Sequence, residues 1–412
     1  MEGGAPMHDG LTRSLRALAR SGEGPAPLRW PAAVARQVRS LGAFVFAGLA
    51  IVSTATHAAG GDLVFGHIAG HTGVQAVTAK ALRDGILLYF EEVNARGGLN
   101  GSRLVLEAVD DQYDPVKTVA AARKLLAEPQ VIALLATLGT ENNDALVKSH
   151  LLEGTTLVNF GARAATNVLE PSQETYRIRA SYRDEMHAIV SQLSVAGVKN
   201  LGLVVQGDSL GSEGEQALLH EAGNAAMKVA AKHSYDRNTG DIAPAVTAMK
   251  ASSAEAIVFV GISKVCADFL AQYHKQGGAM PVYAISVVDP NVVVRLSKGN
   301  GDGRGLIVAQ TMPAPTRKAI PLIREINAAI AASKTPPEMS YGLIEGFVVA
   351  KAAVEVLNRA NPRNRDGFRS ALMHLTKEID LGGLIVNFNG GKRDGGSYVE
   401  LSVIGEGGQI RN

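Results

Sequence analysis

From Asp62 onward, apolar and polar positions repeat in one order: a short run rich in Val, Ile, Leu and Phe, a turn, then a stretch whose apolar residues recur every three or four positions. The short runs predict strands over Leu63–Ala69, Leu104–Val109, Val131–Thr137, Thr156–Phe160, Leu201–Gln206, Ile257–Gly261, Val282–Ser286 and Leu306–Gln310. Amphipathic stretches between them predict helices, among them Ala76–Ala95, Val116–Ala127, Asn143–Leu152, Met186–Ala196 and Glu213–Ala225. Gly97-Gly98-Leu99-Asn100-Gly101 is a helix stop, because glycine takes the positive φ of a C-cap without steric cost. Strand, helix, strand at this spacing predicts parallel sheets joined by right-handed crossovers. Roughly 350 residues would overfill one doubly wound sheet, so two such sheets are expected, with no low-complexity linker between them.

The N-terminal stretch breaks this pattern. A Gly/Pro/Arg-rich segment leads to Arg36 and Arg39, then the uncharged run Leu41–Val52 and the small residues before Ala58. That order predicts a secretory signal peptide over 1–58, cleaved near Ala58, with an unusually long basic region and Val34 placed where an alternative start would give an ordinary leader. Twelve apolar residues are too few for the ~20 a spanning helix needs, and no cysteine follows to carry a lipid.

Composition then narrows the class. The chain's 412 residues, 46% hydrophobic and 19% charged, exclude a disordered, collagen-like or disulfide-stapled protein. Beyond residue 60 there remain 35 basic and 36 acidic side chains, so the body has no electrostatic footprint for nucleic acid. A lone cysteine, Cys266, forms no internal disulfide and reads as a small buried hydrophobe. The single tryptophan, Trp30, lies in the leader, which disfavours a sugar stacked on indole.

Leu63-Val64-Phe65-Gly66 with Thr72-Gly73, then Gly85-Ile86, Asn94-Ala95-Arg96-Gly97-Gly98-Leu99-Asn100-Gly101 and Asp110-Asp111-Gln112-Tyr113-Asp114-Pro115, resembles the opening of type I periplasmic binding proteins of the leucine/isoleucine/valine-binding group, the solute receptors of ABC importers. Thr137-Leu138-Gly139-Thr140, Ser181-Tyr182, Ser340-Tyr341, Glu345-Gly346, Asp380-Leu381-Gly382-Gly383, Tyr398-Val399 and Val403-Ile404 follow in the order of that family, covering 61–412. The resemblance implies an α/β fold of two Rossmann-like lobes with three crossovers and an interlobe cleft. Lobe one would hold 61–178 plus 310–385, and lobe two 179–309 plus 386–412. It further implies a periplasmic monomer that hands a small amino acid, amide or carboxylic acid to an ABC importer permease, with no cofactor, no metal and no chemistry of its own.

In open parallel sheets ligands sit beyond the carboxyl ends of the strands. Loops there, matched to the family, give the candidate ligand-binding residues Thr72, Tyr113, Thr137, Leu138, Gly139, Thr140, Gly161, Arg163, Ala164 and Thr166 in lobe one. In lobe two and at the crossover they give Tyr182, Asp208, Leu210, Ser263, Ser286 and Asp289. Thr137 and Thr140 precede a helix, where hydroxyls and free backbone N–H groups suit a carboxylate. Plainer roles compete: a threonine there also serves as an N-cap, Tyr113 as surface packing, Tyr182 as a hinge pin, and Glu345 as a cap or ion-pair partner within the hinge. In amino-acid-binding relatives a lobe-two tyrosine and acid meet the ammonium. Ser263 and Ser286 stand at those places, so either Asp289 supplies the negative charge or the ligand lacks an amine. Arg163 is a possible second anion partner.

Three rival readings remain to be weighed. Gly207-Asp208-Ser209-Leu210-Gly211 spells both a GxSxG elbow and a GDSL string, so a secreted hydrolase would use Ser209. However, the string is mid-chain, and the single DxxH, Asp184 to His187, lies upstream of it. A sensory ectodomain would need a spanning helix. His67 and His71 have an i,i+4 spacing but straddle a strand end with no third ligand near, which argues against zinc.

Overall fold

A computed structural model describes residues 61–164, 172–297 and 303–412. The expected leader and Thr166 lie outside the described residues. Of the chain's two compact units, the one from Ala58 to Asn412 contains everything below.

The chain builds β1 (Leu63–Ala69), α1 (Ala76–Ala95), β2 (Leu104–Asp110), α2 (Pro115–Leu126), β3 (Val131–Leu135), α3 (Thr140–Lys148), β4 (Val158–Phe160) and β5 (Thr175–Tyr176). These strands form a five-stranded sheet of order β2-β1-β3-β4-β5, every pair parallel. Next come α4 (Tyr182–Val195), β6 (Asn200–Gln206), α5 (Ser209–Asn224), β7 (Lys228–Tyr235), α6 (Ala243–Ala251), β8 (Ala256–Val260), α7 (Ser263–Lys275), β9 (Val282–Ala284), α8 (Pro290–Leu296) and β10 (Leu306–Gln310). Finally α9 (Pro321–Ala332), α10 (Tyr341–Arg359), α11 (Arg365–Met373) and the hairpin β11 (Ile379–Asp380) and β12 (Ile385–Val386) precede β13 (Glu400–Ile404) and β14 (Ile410–Arg411). The second sheet runs β14-β13-β10-β9-β8-β6-β7, parallel except that β13 lies antiparallel to both its neighbours.

Each sheet has its own core. Phe65, Leu135, Phe160 and Phe347 belong to one; Leu203, Val258, Phe259 and Phe269 to the other. β3 and β8 are buried at every position, as a parallel strand covered on both faces must be. The chain passes between cores three times, after β5, after β10 and before β13. Met312 marks the return at the second passage. At the third, Val386 and Phe388 pack in the first core, and Asn387 N bonds Gly395 O while Gly395 N bonds Arg177 O, both at 2.8 Å. Val386 and Phe388, two large apolar side chains, thus find their cover in the first core.

Helices α1 and α10 cross at two glycines. A Cβ at Gly85 would stand 2.1 Å from Leu343 O, and one at Gly346 would stand 2.0 Å from Leu82 O. This close crossing holds α10, with Glu345, against α1.

Candidate functional site

Loops at the carboxyl ends of the strands of both sheets meet here. After β3 the chain turns through Ala136 (φ 52°) and Gly139 (φ 108°) before α3 begins at Thr140. A Cβ on Gly139 would lie 2.6 Å from the Tyr113 ring and 2.9 Å from Asn142 Oδ1, so glycine is required. Leu138 N donates to Ile68 O at 3.1 Å, Gly139 N to Arg163 O at 3.0 Å and Arg163 N to Thr137 O at 2.9 Å. Asn143 Nδ2 donates to the carbonyls of Thr137 (3.0 Å) and Gly139 (2.7 Å), which makes this loop rigid. Within it Thr137 is 0% exposed, yet its Oγ1 has no hydrogen-bond partner.

The other lobe-one candidates have mixed fates. Thr140 Oγ1 lies 3.0 Å from the hydroxyl of Tyr182, the first residue of α4, and so joins the two lobes. Thr72 is exposed and its hydroxyl donates to Asp110 Oδ2 at 2.6 Å, which ties the loop after β1 to the end of β2. Tyr113 is buried in a left-handed turn with Gln112 (φ 61° and 54°), under the Arg237 guanidinium 4.3 Å from its ring. Gly161 has φ 69°, and a Cβ there would meet Val349 at 2.7 Å. Ala164 is buried.

In lobe two the expected polar contacts are spent on the protein itself. Asp208 caps α5, accepting from Leu210 N at 3.0 Å, and its other oxygen accepts from Arg237 Nη1 at 3.0 Å. Leu210 is buried in the second core. Ser263 Oγ accepts from Asp289 N at 2.9 Å. Asp289 Oδ1 accepts from Asn291 N at 2.8 Å and Oδ2 from Gly342 N at 3.2 Å, so the carboxylate caps α8 and pins it to α10. Burial raises its pKa. Ser286 donates from N (2.6 Å) and Oγ (2.8 Å) to Glu185. None of these side chains presents an uncommitted carboxylate to an ammonium.

Arg163 also has a different setting from a free anion partner. Its Nη1 lies 2.5 Å from Glu345 Oε2 and its Nη2 donates to Ser286 O at 2.9 Å, bridging α10 and the loop after β9. Beside it stands Arg179, which sequence reasoning missed. Arg179 is 1% exposed, faces Glu185 at 3.4 Å and Glu345 at 3.7 Å, and donates from Nη2 to Ser286 Oγ. Its Nη1 and Nε have no hydrogen-bond partner. Burial drives the Glu185 carboxyl up to about 7, although Arg179 and the Ser286 donors pull it down. Charged residues set among apolar neighbours were the available signal: Arg179 between Ile178 and Ala180, Glu345 between Ile344 and Gly346. Arg237 and Glu141 carried no such signal. Arg237 Nη2 reaches Tyr113 O at 2.7 Å and Asn142 Oδ1 at 3.1 Å, while Glu141 Oε2 accepts from Ser209 N at 2.9 Å.

That last contact bears on the hydrolase reading. Ser209 Oγ donates to Glu141 Oε2 at 2.6 Å, and the imidazoles on α4 and α5, His187 and His220, are paired with Glu221. Ser209 thus has a carboxylate across the cleft rather than a histidine base with its orienting acid. Ser209→Ala is expected to change affinity for a bound carboxylate by no more than about tenfold, since one peripheral hydrogen bond is lost. Isothermal titration measures this, and loss of an esterase activity in the same variant would favour the hydrolase.

A family model described as periplasmic binding protein matches residues 63–396. The chain belongs to this family. It is 24% identical over 344 residues to the Leu/Ile/Val-binding protein homolog 8 of Brucella suis, covering 80% of this chain and 84% of that one. To the amino acid binding protein of Pseudomonas aeruginosa it is 23% identical over 239 residues, covering 57% of this chain and 63% of that protein, under two thirds of its length. Among solved structures, a substrate-binding periplasmic protein from Ralstonia solanacearum superposes with a TM-score of 0.80 at 32% identity, covering 85% of this chain and 99% of the other. The two sheets and three passages are those of a type I periplasmic binding protein. Members of this family bind solutes and are periplasmic, and among the described residues no helix is long and apolar enough to cross a membrane.

Proposed function

We propose that this protein is the solute receptor of an ABC importer, closing two lobes over a small ligand that carries a carboxylate. The observation that carries this reading is Thr137: a hydroxyl 0% exposed, held on a rigid loop beside the N-terminus of α3, and unpaired. A buried hydroxyl without a partner is costly, and a ligand carboxylate would satisfy it where the helix start also favours negative charge. Support for closure comes from the contacts between lobes, in which Thr140 meets Tyr182, Arg237 meets Tyr113 and Asn142, and Ser209 meets Glu141. The closed form is the one a permease would read, and selectivity follows from how differently a ligand binds the open and closed states. Lobe one is taken as 61–178 with about 311–398, and lobe two as the remainder of the described chain.

The names of the relatives fit an amino acid or its analogue. The lobe-two side chains favour a ligand whose amine is absent or neutral, because Asp289 is committed to α8 and Gly342. A thermal-shift screen over amino acids, amides and carboxylic acids tests the reading, since a saturating ligand stabilises by several kcal/mol. Thr137→Ala is expected to weaken the best carboxylate probe at least about tenfold. Absence of stabilisation by every carboxylate tested, or unchanged affinity in Thr137→Ala, would overturn it.

A further inference from the structure

His67 lies on β1, fully buried, with Nδ1 2.8 Å from Leu135 O. A carbonyl can only accept, so Nδ1 carries the hydrogen and Nε2 of the neutral ring is left as a bare acceptor. Nε2 has no partner. Desolvation lowers the ring's pKa to about 3, so it stays neutral throughout the ordinary pH range.

His71, just past the carboxyl end of β1, stands edge-on to His67 with ring centroids 5.2 Å apart. Both of its nitrogens are shielded from water and unpaired. Burial and the nearby Arg83 charge lower its pKa as well. A small apolar cluster of Ala69, Ala79, Leu82 and Leu138 occupies the same strand ends, and Leu138 adjoins Thr137. Three orphaned imidazole nitrogens therefore lie on β1 and the loop after it, and one orphaned hydroxyl lies on the loop after β3, the strand paired with β1.

We propose that the His67–His71 pair is a ligand subsite that accepts a hydrogen bond from an uncharged hydroxyl, so that the solute is a hydroxy acid. This rests on the carboxylate reading of Thr137. The polarity follows from the carbonyl at the inner end. Leu135 O fixes the hydrogen on Nδ1 of His67, so its unpaired Nε2 is an acceptor whichever tautomer His71 takes. The innermost group offered is therefore the lone pair of His67 Nε2, with one acceptor and one N–H on His71 beside it. A second carboxylate would face that lone pair unfavourably. An ammonium would be buried near the Arg83 cation, and the carboxylate that also acts on His71, Asp110, already accepts from Thr72 and Gln112. A metal is disfavoured too, because among the described residues no three metal-ligating side chains converge.

Two matched sets of probes test the proposal by isothermal titration: 2-hydroxy-4-methylpentanoate, 4-methylpentanoate and L-leucine, and 3-phenyllactate, 3-phenylpropanoate and L-phenylalanine. In the set that fits the cleft, the hydroxy acid is expected to bind at least about tenfold tighter than the deoxy acid and tighter than the amino acid, because omitting the hydroxyl leaves a buried acceptor unpaired. In His71→Phe the ratio of hydroxy to deoxy acid is expected to fall within about threefold. His67→Gln is the second variant, and the comparison of probes on the wild-type protein stands even if neither variant folds. Equal binding of hydroxy and deoxy acids, tighter binding of the amino acid, or a preference retained in both variants overturns the subsite and leaves the receptor reading intact. If no carboxylate binds, both fall together.

Discussion

Replacing Arg179 with Met is expected to lower the unfolding free energy by about 3–5 kcal/mol, the cost of removing one partner from a buried charge pair. Arg179 is 1% exposed and lies among Glu185, Glu345 and Ser286, which come from α4, α10 and the loop after β9. Arg163 would still pair with Glu345, but its guanidinium is bonded to Glu345 and Ser286 O and does not replace the one beside Glu185. Methionine fills part of the space and repays none of the charge. The deficit is expected to widen as pH rises above 7, since Glu185 must then either keep its proton or ionise without a cation beside it. Urea unfolding of both proteins at pH 7 and above checks this; a stability within about 1 kcal/mol of wild type would show that the Arg179 charge is not desolvated as the structure places it.

The same cluster makes stability depend on pH through Glu185. Its folded pKa, raised by burial from 4.5 to about 7, exceeds that of the unfolded chain, so between those values the native state holds more protons. Raising the pH through that window removes them, and stability present below 4.5 is lost as pH climbs to about 7. At about 1.4 kcal/mol for each pH unit, the loss amounts to roughly 3 kcal/mol. Glu185→Gln keeps the shape and an acceptor for the Ser286 donors, and it is expected to abolish this slope. Other carboxyls titrate in the same range, so the decisive quantity is the difference between wild type and variant from unfolding curves at several pH values. Parallel slopes in the two proteins would count against a proton held on Glu185.

Much of the scaffold could be read from hydrophobic spacing. β1 and α1 occupy their expected residues, and β6, β8 and β10 differ by a residue or none, because strands buried on both faces appear as continuous apolar runs. β7 went unread. Its exposure alternates along Lys228–Tyr235, with Lys228, Lys232 and His233 in the run, because an edge strand covered on one side can carry solvated residues. α3 starts three residues before its expected position, since Gly139 permits the turn that periodicity alone places later.

The division at the site has a physical cause. Local sequence determined what lies within a few residues of itself: the strand ends, the glycine turn before Thr140, the caps Asp208 and Asp289, and a threonine presented at a helix start. Tertiary structure alone decided which of those groups remain available. Arg163 meets Glu345 across 182 residues, Arg179 meets Ser286 across 107, and Asp289 meets Gly342 across 53, and each contact uses a group that the loops considered singly had left free for a ligand. Burial of a charge is tolerated only where a distant segment supplies its partner, so partner choice depends on chain crossings that no short pattern encodes. After that selection Thr137 Oγ1, His67 Nε2 and the two His71 nitrogens are left as buried polar atoms to which folding brought no partner.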